Sequence, residues 1–438
     1  MSIGTWYKRK RYWIEDMLKG GNLLRAYLDV KLTASPSEKG MRRRLQLLEH
    51  ILEFAKHNID YYKNKPVYTL DTFPVIDKSI ILSDKQAFLT PINKIPGQKG
   101  PLHIQKTSGS TGTPFCTPQD TLCRLRRVAT IKYENDLIGF RSCDPLIHVR
   151  SGSHYWSGFA DRYDSKSNIF YFDNSRLDEN RIKKFIETID KRRINFIRAY
   201  MTSIDLITRY AVDNKVHFNS HPFFISVGEL MPETLRRRVT SELGCHIISQ
   251  YGNEENGVLG SSIIDGVGSH IRLNRCSCLI EILKEDCNCP TSEGEAGRVV
   301  ITDLSNHAMP LIRYDTGDIA IAGERDEAGF AISLSNLMGR RNDLIRDMDG
   351  NVIDLFNGMP ECIYNNEDVK QYQFIQKNKS IYNLILNMAP KKYINEQAII
   401  HELKSVLGEE AVINIEYTEE IPVLSSGKRK IVINEYHP

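Results

Sequence analysis

A strand–helix–strand pattern in the middle of the chain constrains the fold more than any other feature of its sequence. The apolar run over 223–228 has the length of a buried strand, and residues 245–250 form a second such run. Between them, Pro232 suits the first turn of a helix over 233–243, and Gly244 suits the position after its end. Strands that alternate with helices in this way predict a parallel sheet with crossover helices.

Binding residues are expected where these two strands end. In open parallel sheets, ligands bind beyond the carboxyl ends of the strands. Gly228 and Glu229 follow the first predicted strand, and Tyr251 and Gly252 follow the second. These four residues are therefore candidates for a ligand site.

The flanking segments have other patterns. Apolar residues at three- and four-residue spacing predict a helix over 41–58, within a first hundred residues that are mainly helical. Short strands separated by turns predict an antiparallel subdomain from about residue 270, and a helix with flanking strands follows after residue 339. These later elements are predicted over residues 279–283, 297–302, 319–322, 394–407, 411–417 and 431–434.

The predicted fold class is therefore α/β with two domains. Residues 1–338 would form a large N-terminal domain with mixed sheets and an antiparallel subdomain. Residues 339–438 would form a small, mobile C-terminal α+β domain. The boundary falls where the polar turn after Gly339 interrupts the strand pattern.

The composition excludes several classes of protein. Of 438 residues, 41% are hydrophobic and 26% are charged, as in ordinary globular proteins. The 58 basic and 55 acidic side chains leave a formal charge of +3, which gives no case for a nucleic-acid partner. No apolar run is long enough to span a membrane, and none follows the basic residues near the start as in a signal peptide. Nine cysteines without a secretion signal predict a cytoplasmic protein.

A loop rich in serine, threonine and glycine is the strongest local signal for chemistry. It runs from Lys106 to Pro114, and its small residues allow backbone amides and hydroxyls to surround a polyphosphate. The Gly-Lys-Ser/Thr ending of a Walker A loop is missing. Taken alone, the segment is also compatible with a flexible Ser/Gly loop.

Four shorter motifs follow along the chain. Tyr251 precedes two carboxylates at 254 and 255, an arrangement that suits a purine platform beside a magnesium ligand. Asp318 comes after a Thr-Gly turn, where it can accept hydrogen bonds from two ribose hydroxyls. Arg340 supplies a cation at the domain junction, and Lys428 supplies a flexible one for phosphate charge on a small loop. Singly, each is also compatible with an ordinary turn or a solvated charge.

In this order, the five motifs resemble those of the adenylate-forming superfamily of acyl-CoA synthetases and adenylation domains. The phrase Met309-Pro-Leu-Ile-Arg-Tyr-Asp-Thr-Gly-Asp318 and the pair Gly427-Lys428 resemble the phenylacetate–coenzyme A ligase-like branch in particular. That branch includes enzymes of capsular polysaccharide gene sets. The resemblance covers about residues 85–438.

The resemblance implies a reaction and a phosphate site. Members of the superfamily join a carboxylic acid to ATP as an acyl-adenylate, release pyrophosphate, and pass the acyl group to an acceptor, often coenzyme A. Magnesium assists the first step. The residues that would hold the β- and γ-phosphates are Ser108, Gly109, Ser110, Thr111, Gly112 and Thr113.

The resemblance also implies a nucleoside site. Gly228 and Glu229 match the segment that lines the adenine and the acyl pocket, and Tyr251 would stack on the adenine. Asp318 would hold the ribose diol with help from Arg340.

The metal ligand and the catalytic lysine are assigned in the same way. Glu255 matches the magnesium ligand, but the preceding residue is Glu254 where many relatives have Thr or Ser, so either acid is a candidate. Lys428 matches the lysine that bridges the carboxylate and the α-phosphate during adenylation.

The acyl pocket carries little signal. His154, Tyr155 and Trp156 fall where the family has an aromatic segment beside the acid, so the two rings would wall the acyl group and the imidazole would hydrogen-bond to it. A packed core segment is the alternative interpretation.

Two cysteine pairs raise the question of a structural zinc. Four thiolates can hold zinc tetrahedrally. The Cys-x-Cys spacing differs from the usual Cys-x2-Cys of zinc ribbons, so unpaired thiols are the alternative. The pairs are Cys276 with Cys278 and Cys287 with Cys289.

The sequence therefore predicts a cytoplasmic adenylate-forming ligase whose substrates are ATP and a small carboxylic acid. The acceptor is expected to be coenzyme A, and an amine or a carrier protein would make the chain an amide synthetase or acyl-loading enzyme instead. A nucleotide-binding scaffold without catalysis is the third hypothesis. The sequence is also compatible with a homodimer.

Overall fold

The computed structural model describes residues 3–63, 65–106, 115–150, 161–174, 177–265, 270–353, 359–360, 363, 366, 368–422 and 430–436. The helices in these ranges are α1 Ile3–Leu18, α2 Asn22–Ala34, α3 Glu38–Asn58, α4 Asp60–Lys63, α5 Lys78–Ser83, α6 Thr121–Leu137, α7 Glu179–Arg192, α8 Met201–Asp213, α9 Glu233–Arg237 and α10 Glu396–Leu407. The strands are β1 His103–Lys106, β2 Cys116–Gln119, β3 Leu146–Arg150, β4 Arg162–Asp164, β5 Ile169–Asp173, β6 Phe196–Tyr200, β7 Phe223–Val227, β8 His246–Asn253, β9 Gly257–Ser262, β10 Ile271–Leu273, β11 Cys278–Leu283, β12 Ala296–Asp303, β13 Tyr314–Ala322, β14 Ser333–Arg340, β15 Ile345–Arg346, β16 Val352–Ile353, β17 Val369–Gln376, β18 Ile381–Met388, β19 Val412–Tyr417 and β20 Val432–Asn434.

A mixed sheet forms the centre of the molecule. Within the described ranges it has twelve strands in the order β11-β12-β13-β14-β10-β9-β8-β7-β6-β3-β5-β4. Strands β3, β5, β6, β7 and β8 run parallel, and one face of them packs against α7 and α8 through an apolar core. The strand–helix–strand prediction is therefore confirmed. Gly228 and Glu229 follow β7, and Tyr251 lies just beyond the last parallel pair, Val227 with Gln250.

The antiparallel strands predicted from residue 270 are present, but they continue the same sheet. β8 pairs with β7 on one side in parallel and with β9 on the other in an antiparallel hairpin. β9 then leads through β10 and β14 to β13, β12 and β11. A second apolar core lies on this half of the sheet and contains the ring of Tyr251.

The C-terminal part has its own core. Among the described residues, four strands in the order β19-β18-β17-β20 form a sheet, and α10 packs on it through Ile399, Leu403 and Leu407. Asn395 caps this helix, because its side chain accepts a hydrogen bond from the amide of Ala398. The predicted boundary at residue 339 lies near the end of β14, and it stays a prediction.

The four cysteines of the suggested zinc site do not come together, so that suggestion is wrong for this fold. Cys276 and Cys278 lie at one end of β11, and Cys287 and Cys289 lie beyond the other end. The five residue steps of β11, at about 3.3 Å each, separate the two pairs by roughly 16 Å. Burial also raises the pKa of both the Cys276 and the Cys278 thiols, which disfavours thiolate ligands. In the described ranges, no group of three or more His, Cys, Asp or Glu side chains could hold a metal ion.

None of the helices in the described ranges has the length and apolar character needed to cross a membrane.

We expect metal removal to leave the fold unchanged. A structural zinc contributes on the order of 10 kcal/mol to folding, so its loss would lower the melting temperature steeply. Dialysis against a chelator should therefore leave the melting temperature of this chain unchanged, and elemental analysis should find no stoichiometric zinc. Stoichiometric zinc, lost together with thermal stability in Cys278→Ala, would contradict the separation of the two pairs.

Candidate active site

Several of the predicted site residues lie outside the described ranges. They are Ser108, Gly109, Ser110, Thr111, Gly112, Thr113, His154, Tyr155, Trp156 and Lys428. The other candidates lie inside them: Gly228, Glu229, Tyr251, Gly252, Glu254, Glu255, Asp318 and Arg340.

A buried carboxylate, Asp318 on β13, stands at the centre of these residues. Arg340 is its register partner on β14, and the Nε of Arg340 lies 3.0 Å from Oδ1 of Asp318. The hydroxyl of Tyr251 donates to Oδ2 of Asp318 at 2.8 Å. The arginine is fixed further by a 3.0 Å hydrogen bond from Nη1 to the carbonyl of Thr316. The sheet thus brings together three residues that are distant in sequence.

The carboxylate of Asp318 affects the pKa values of both its partners. The neighbouring carboxylate of Asp318 raises the pKa of Arg340. Burial, followed by the same carboxylate, raises the pKa of Tyr251 well above its usual value, so the phenol stays a hydrogen-bond donor. An ionised carboxylate offers about four acceptor positions, and Tyr251 and Arg340 take two of them. Asp318 can therefore accept two further hydrogen bonds from a ligand.

Glu255 lies buried beside this trio. The hydroxyl of Tyr314 donates to Oε1 of Glu255 at 3.4 Å. Burial raises the pKa of Glu255, the cation of Arg340 opposes the rise, and Asp318 adds to it. Such crowding of buried negative charge is relieved by a cation bound between the acids.

Glu254 is exposed and points elsewhere. Its Oε2 accepts a hydrogen bond from the amide of Gln105 on β1. Its carbonyl accepts one from Nη1 of Arg127 at 3.0 Å. A cavity of about 160 Å³ adjoins this turn and is lined in part by Gln105, Arg127 and Asn256. The two adjacent acids therefore face different surroundings, which the sequence could not separate.

The turn that carries both acids depends on Gly252. A Cβ at this position would lie 2.5 Å from the carbonyl oxygen of Gly257 and 3.1 Å from the Cα of Val258. Only glycine permits this close approach of the two strands at the β8–β9 hairpin.

Glu229 has a structural contact of its own. Its Oε2 accepts a 2.9 Å hydrogen bond from the amide of Thr202 in the first turn of α8, where a carboxylate is favourable. Gly228 before it has a φ of +74°, a conformation that favours glycine. The next residue, Leu230, lies against Gly339 near the end of β14. The segment thus lies beside the end of β14, and its role toward adenine stays a prediction.

The described residues on either side of the serine- and glycine-rich loop lie near the two glutamates. Lys106 at the end of β1 is the register partner of Cys116 on β2. The ring of Phe115 stacks on that of Tyr314, with centroids 6.5 Å apart and planes 13° apart. Because Tyr314 donates to Glu255, Phe115 lies close to the candidate magnesium ligand.

The C-terminal segment is also attached at the junction. The Nζ of Lys430 lies 2.8 Å from Oδ1 of Asp343, three residues after Arg340. The carbonyl of Lys430 accepts a 2.7 Å hydrogen bond from Gln373 on β17.

Sequence reasoning missed several supporting residues. Tyr314 lies inside the motif that ends at Asp318, so it could have been predicted as a site residue from the sequence. Arg127, on α6, and Gln105 carry no motif, and only the folded contacts reveal them. Arg341 was also missed, and its Nη2 lies 2.7 Å from Oδ2 of Asp315.

Comparisons with known proteins identify several similar chains. The family model named CapK C-terminal domain matches residues 345–435. Protein CapK from Staphylococcus aureus is 22% identical over 418 residues, which cover 89% of this chain and 88% of the relative. Phenylacetate-coenzyme A ligase from Thermus thermophilus is 32% identical over 118 residues, or 26% of each chain.

Solved structures show the same fold. A crystal structure of 2-hydroxyisobutyryl-CoA ligase in the postadenylation state, in complex with 2-HIB-AMP, matches with a TM-score of 0.66. It is 14% identical, and the match covers 91% of this chain and 90% of the other. Over most of its length the chain is therefore similar in sequence to CapK, and it has the fold of 2-hydroxyisobutyryl-CoA ligase.

Proposed function

We propose that this chain activates a carboxylic acid with ATP as an acyl-adenylate, releases pyrophosphate, and then transfers the acyl group to the thiol of coenzyme A. The observation that carries the proposal is the trio of Tyr251, Asp318 and Arg340, with Glu255 beside it. The relatives support it, because 2-HIB-AMP is bound by one structural neighbour and two matched proteins are named as coenzyme A ligases.

Asp318 would bind the ribose of ATP. Its two remaining acceptor positions suit the adjacent 2′- and 3′-hydroxyls, which are both donors. Arg340 orients this carboxylate, and Tyr251 holds it from the other side. Tyr251 would meet the adenine, as the resemblance implies.

The acids at 254 and 255 fit a magnesium ion. Magnesium prefers oxygen ligands and binds through one or two carboxylates together with substrate phosphates. Glu255 is buried near Asp318, so a cation there would offset the burial and the repulsion that raise its pKa. Magnesium would neutralise phosphate charge. Glu255 would hold the ion, and Glu254 stays a second candidate.

The chain's residues then need only to position the reactants. The acid is already ionised at neutral pH, so its carboxylate oxygen attacks the α-phosphorus without a general base, and pyrophosphate leaves. Lys428 would lie between the carboxylate and the α-phosphate and reduce their repulsion. In the second step the thiol sulfur attacks the acyl carbon, and AMP leaves.

An amine or a carrier-protein thiol is the second candidate acceptor, and it fits a role in polysaccharide biosynthesis. The relative named as a coenzyme A ligase matches only 26% of this chain, whereas CapK matches 89% of it.

Asp318→Asn should weaken ATP binding by about ten- to a hundred-fold, the range expected for hydrogen bonds to a charged group. The variant loses the ion pair with Arg340 and part of its acceptor capacity. Titration calorimetry with ATP measures the effect, and the exposed Asp286→Asn is the matched control. Equal affinity in Asp318→Asn and Asp286→Asn would contradict the ribose role.

Acid-dependent ATP–pyrophosphate exchange should occur with at least one member of a panel of aryl, short acyl, hydroxy and amino acids. Lys428→Ala should abolish the exchange yet leave transfer from a supplied acyl-adenylate nearly intact, because the lysine acts only on the first step. The exposed Lys379→Ala serves as control. Equal loss of both steps in Lys428→Ala would remove its assigned role, and ATP binding without exchange would favour a scaffold.

Product analysis with the accepted acid separates the acceptors. We expect an acyl-CoA when coenzyme A is added, with AMP released in equal amount. AMP release that depends on an amine or a carrier protein, but not on coenzyme A, would select the second candidate.

A further inference from the structure

One face of the parallel strands carries polar side chains where a buried face is normally apolar. Leu146, Phe196, Ile225 and Ile248 on this face pack with Phe140, at the end of α6. Residues two positions further along β3, β6 and β8 share the face, since side chains alternate along a strand. They are His148, Arg198 and Gln250, with Arg150 at the end of β3. We call these four residues the donor row.

Arg198 is the member of the donor row whose charge and N–H groups are least satisfied by neighbouring side chains. Its Nη2 donates to Oδ1 of Asn135 on α6 at 2.8 Å, but its Nε is buried without a hydrogen-bond partner. No acidic side chain in the described ranges forms an ion pair with it. Burial alone lowers the pKa of Arg198 to about 10, so it remains a cation at neutral pH. A cation that is partly removed from solvent and has no counter-ion is costly unless a ligand or solvent completes it.

The other members are donors as well. Gln250 is 6% exposed, and its Nε2 has no partner. Burial, then the cations of Arg198 and Arg150, lower the pKa of His148 to about 3. The imidazole is therefore neutral at pH 7 and can donate from one ring nitrogen.

The donor row is also reachable. His148, Arg150 and Arg198 are only partly buried, whereas Ile197 and Ala199 on the opposite face are fully buried. Gln250 lies next to Tyr251 of the nucleotide site, and Arg198 lies two strands away on β6. Strands are about 4.8 Å apart, so β6 with Arg198 lies about 10 Å from β8 of the site.

We propose that the donor row binds the far end of the acid substrate, and that this end carries a second anionic group, as in a dicarboxylic acid. Arg198 is then the specificity residue that pairs with the second carboxylate, while the first carboxylate reacts beside Tyr251. The inference rests on the proposed function, because it takes the acid of the adenylation step as the ligand. The span of the row suits acids of the length of adipate or suberate.

Matched acids test the specificity. ATP–pyrophosphate exchange is measured for hexanoate against adipate and for octanoate against suberate. The wild type should prefer a diacid by about ten- to a hundred-fold in kcat/KM, as expected for a charge-assisted hydrogen bond. Arg198→Met should remove this preference, Arg198→Lys should restore part of it, and the exposed Arg42→Met should not change it. A preference for the monoacids, or an unchanged ratio in Arg198→Met, would overturn the proposal.

A thermal-shift measurement separates failure of the site from failure of the proposed function. Adipate or suberate should raise the melting temperature of the wild type but not that of Arg198→Met, whereas hexanoate and octanoate should have little effect on either. If this pattern holds while no acid supports exchange, the diacid site stands and the proposed adenylation fails. If the diacids give no shift in the wild type, the donor row has no such ligand and the proposal is overturned.

Discussion

The ion pair between Asp318 and Arg340 is the interaction on which the candidate site depends. It joins neighbouring strands of the large sheet at the point where β14 ends and the chain turns toward its C-terminal part. Tyr251 reaches the same carboxylate from the β8–β9 hairpin. Asp318 therefore links β13, β14 and the β8–β9 hairpin. A ligand that binds to this carboxylate lies next to residues from all three elements.

Local patterns were sufficient to predict much of the fold. The buried runs that became β7 and β8, and the amphipathic helix α3, follow directly from apolar spacing. Long-range pairing was not predictable in the same way. That β8 pairs with β7 in parallel and with β9 in an antiparallel hairpin depends on contacts that no local pattern encodes. The strand predicted over residues 279–283 lies between the two cysteine pairs, but only the structure shows that the chain beyond it does not bring them together.

The site was predictable to the extent that its residues lie in recognisable segments. Asp318 and Arg340 were identified from their motifs, and the register of β13 with β14 explains why they meet. The difference between Glu254 and Glu255 needed the structure, since it depends on which acid the Tyr314 hydroxyl reaches. Arg198 was missed because a charged residue in a strand is ordinarily read as a solvated position.

The distribution of charge around the parallel strands is consistent with two different ligands. The carboxylates of Glu255 and Asp318 lie close together and buried, where a magnesium-bound polyphosphate would bind. Donors and cations lie along the α6-facing side of β3, β6 and β8, where an anionic acid would bind. Each arrangement is costly in the empty protein and is offset by a ligand of opposite charge.

In the proposed adenylation, an oxygen of the acid itself attacks the α-phosphorus of ATP. Incubation with an acid labelled with oxygen-18 in both carboxyl oxygens, with ATP and the acceptor, tests it directly by mass spectrometry of the AMP formed. Adenylation predicts one labelled oxygen in each AMP, because the acyl–oxygen bond breaks when the acceptor attacks. Unlabelled AMP, or label found in inorganic phosphate with ADP as the product, would contradict the account.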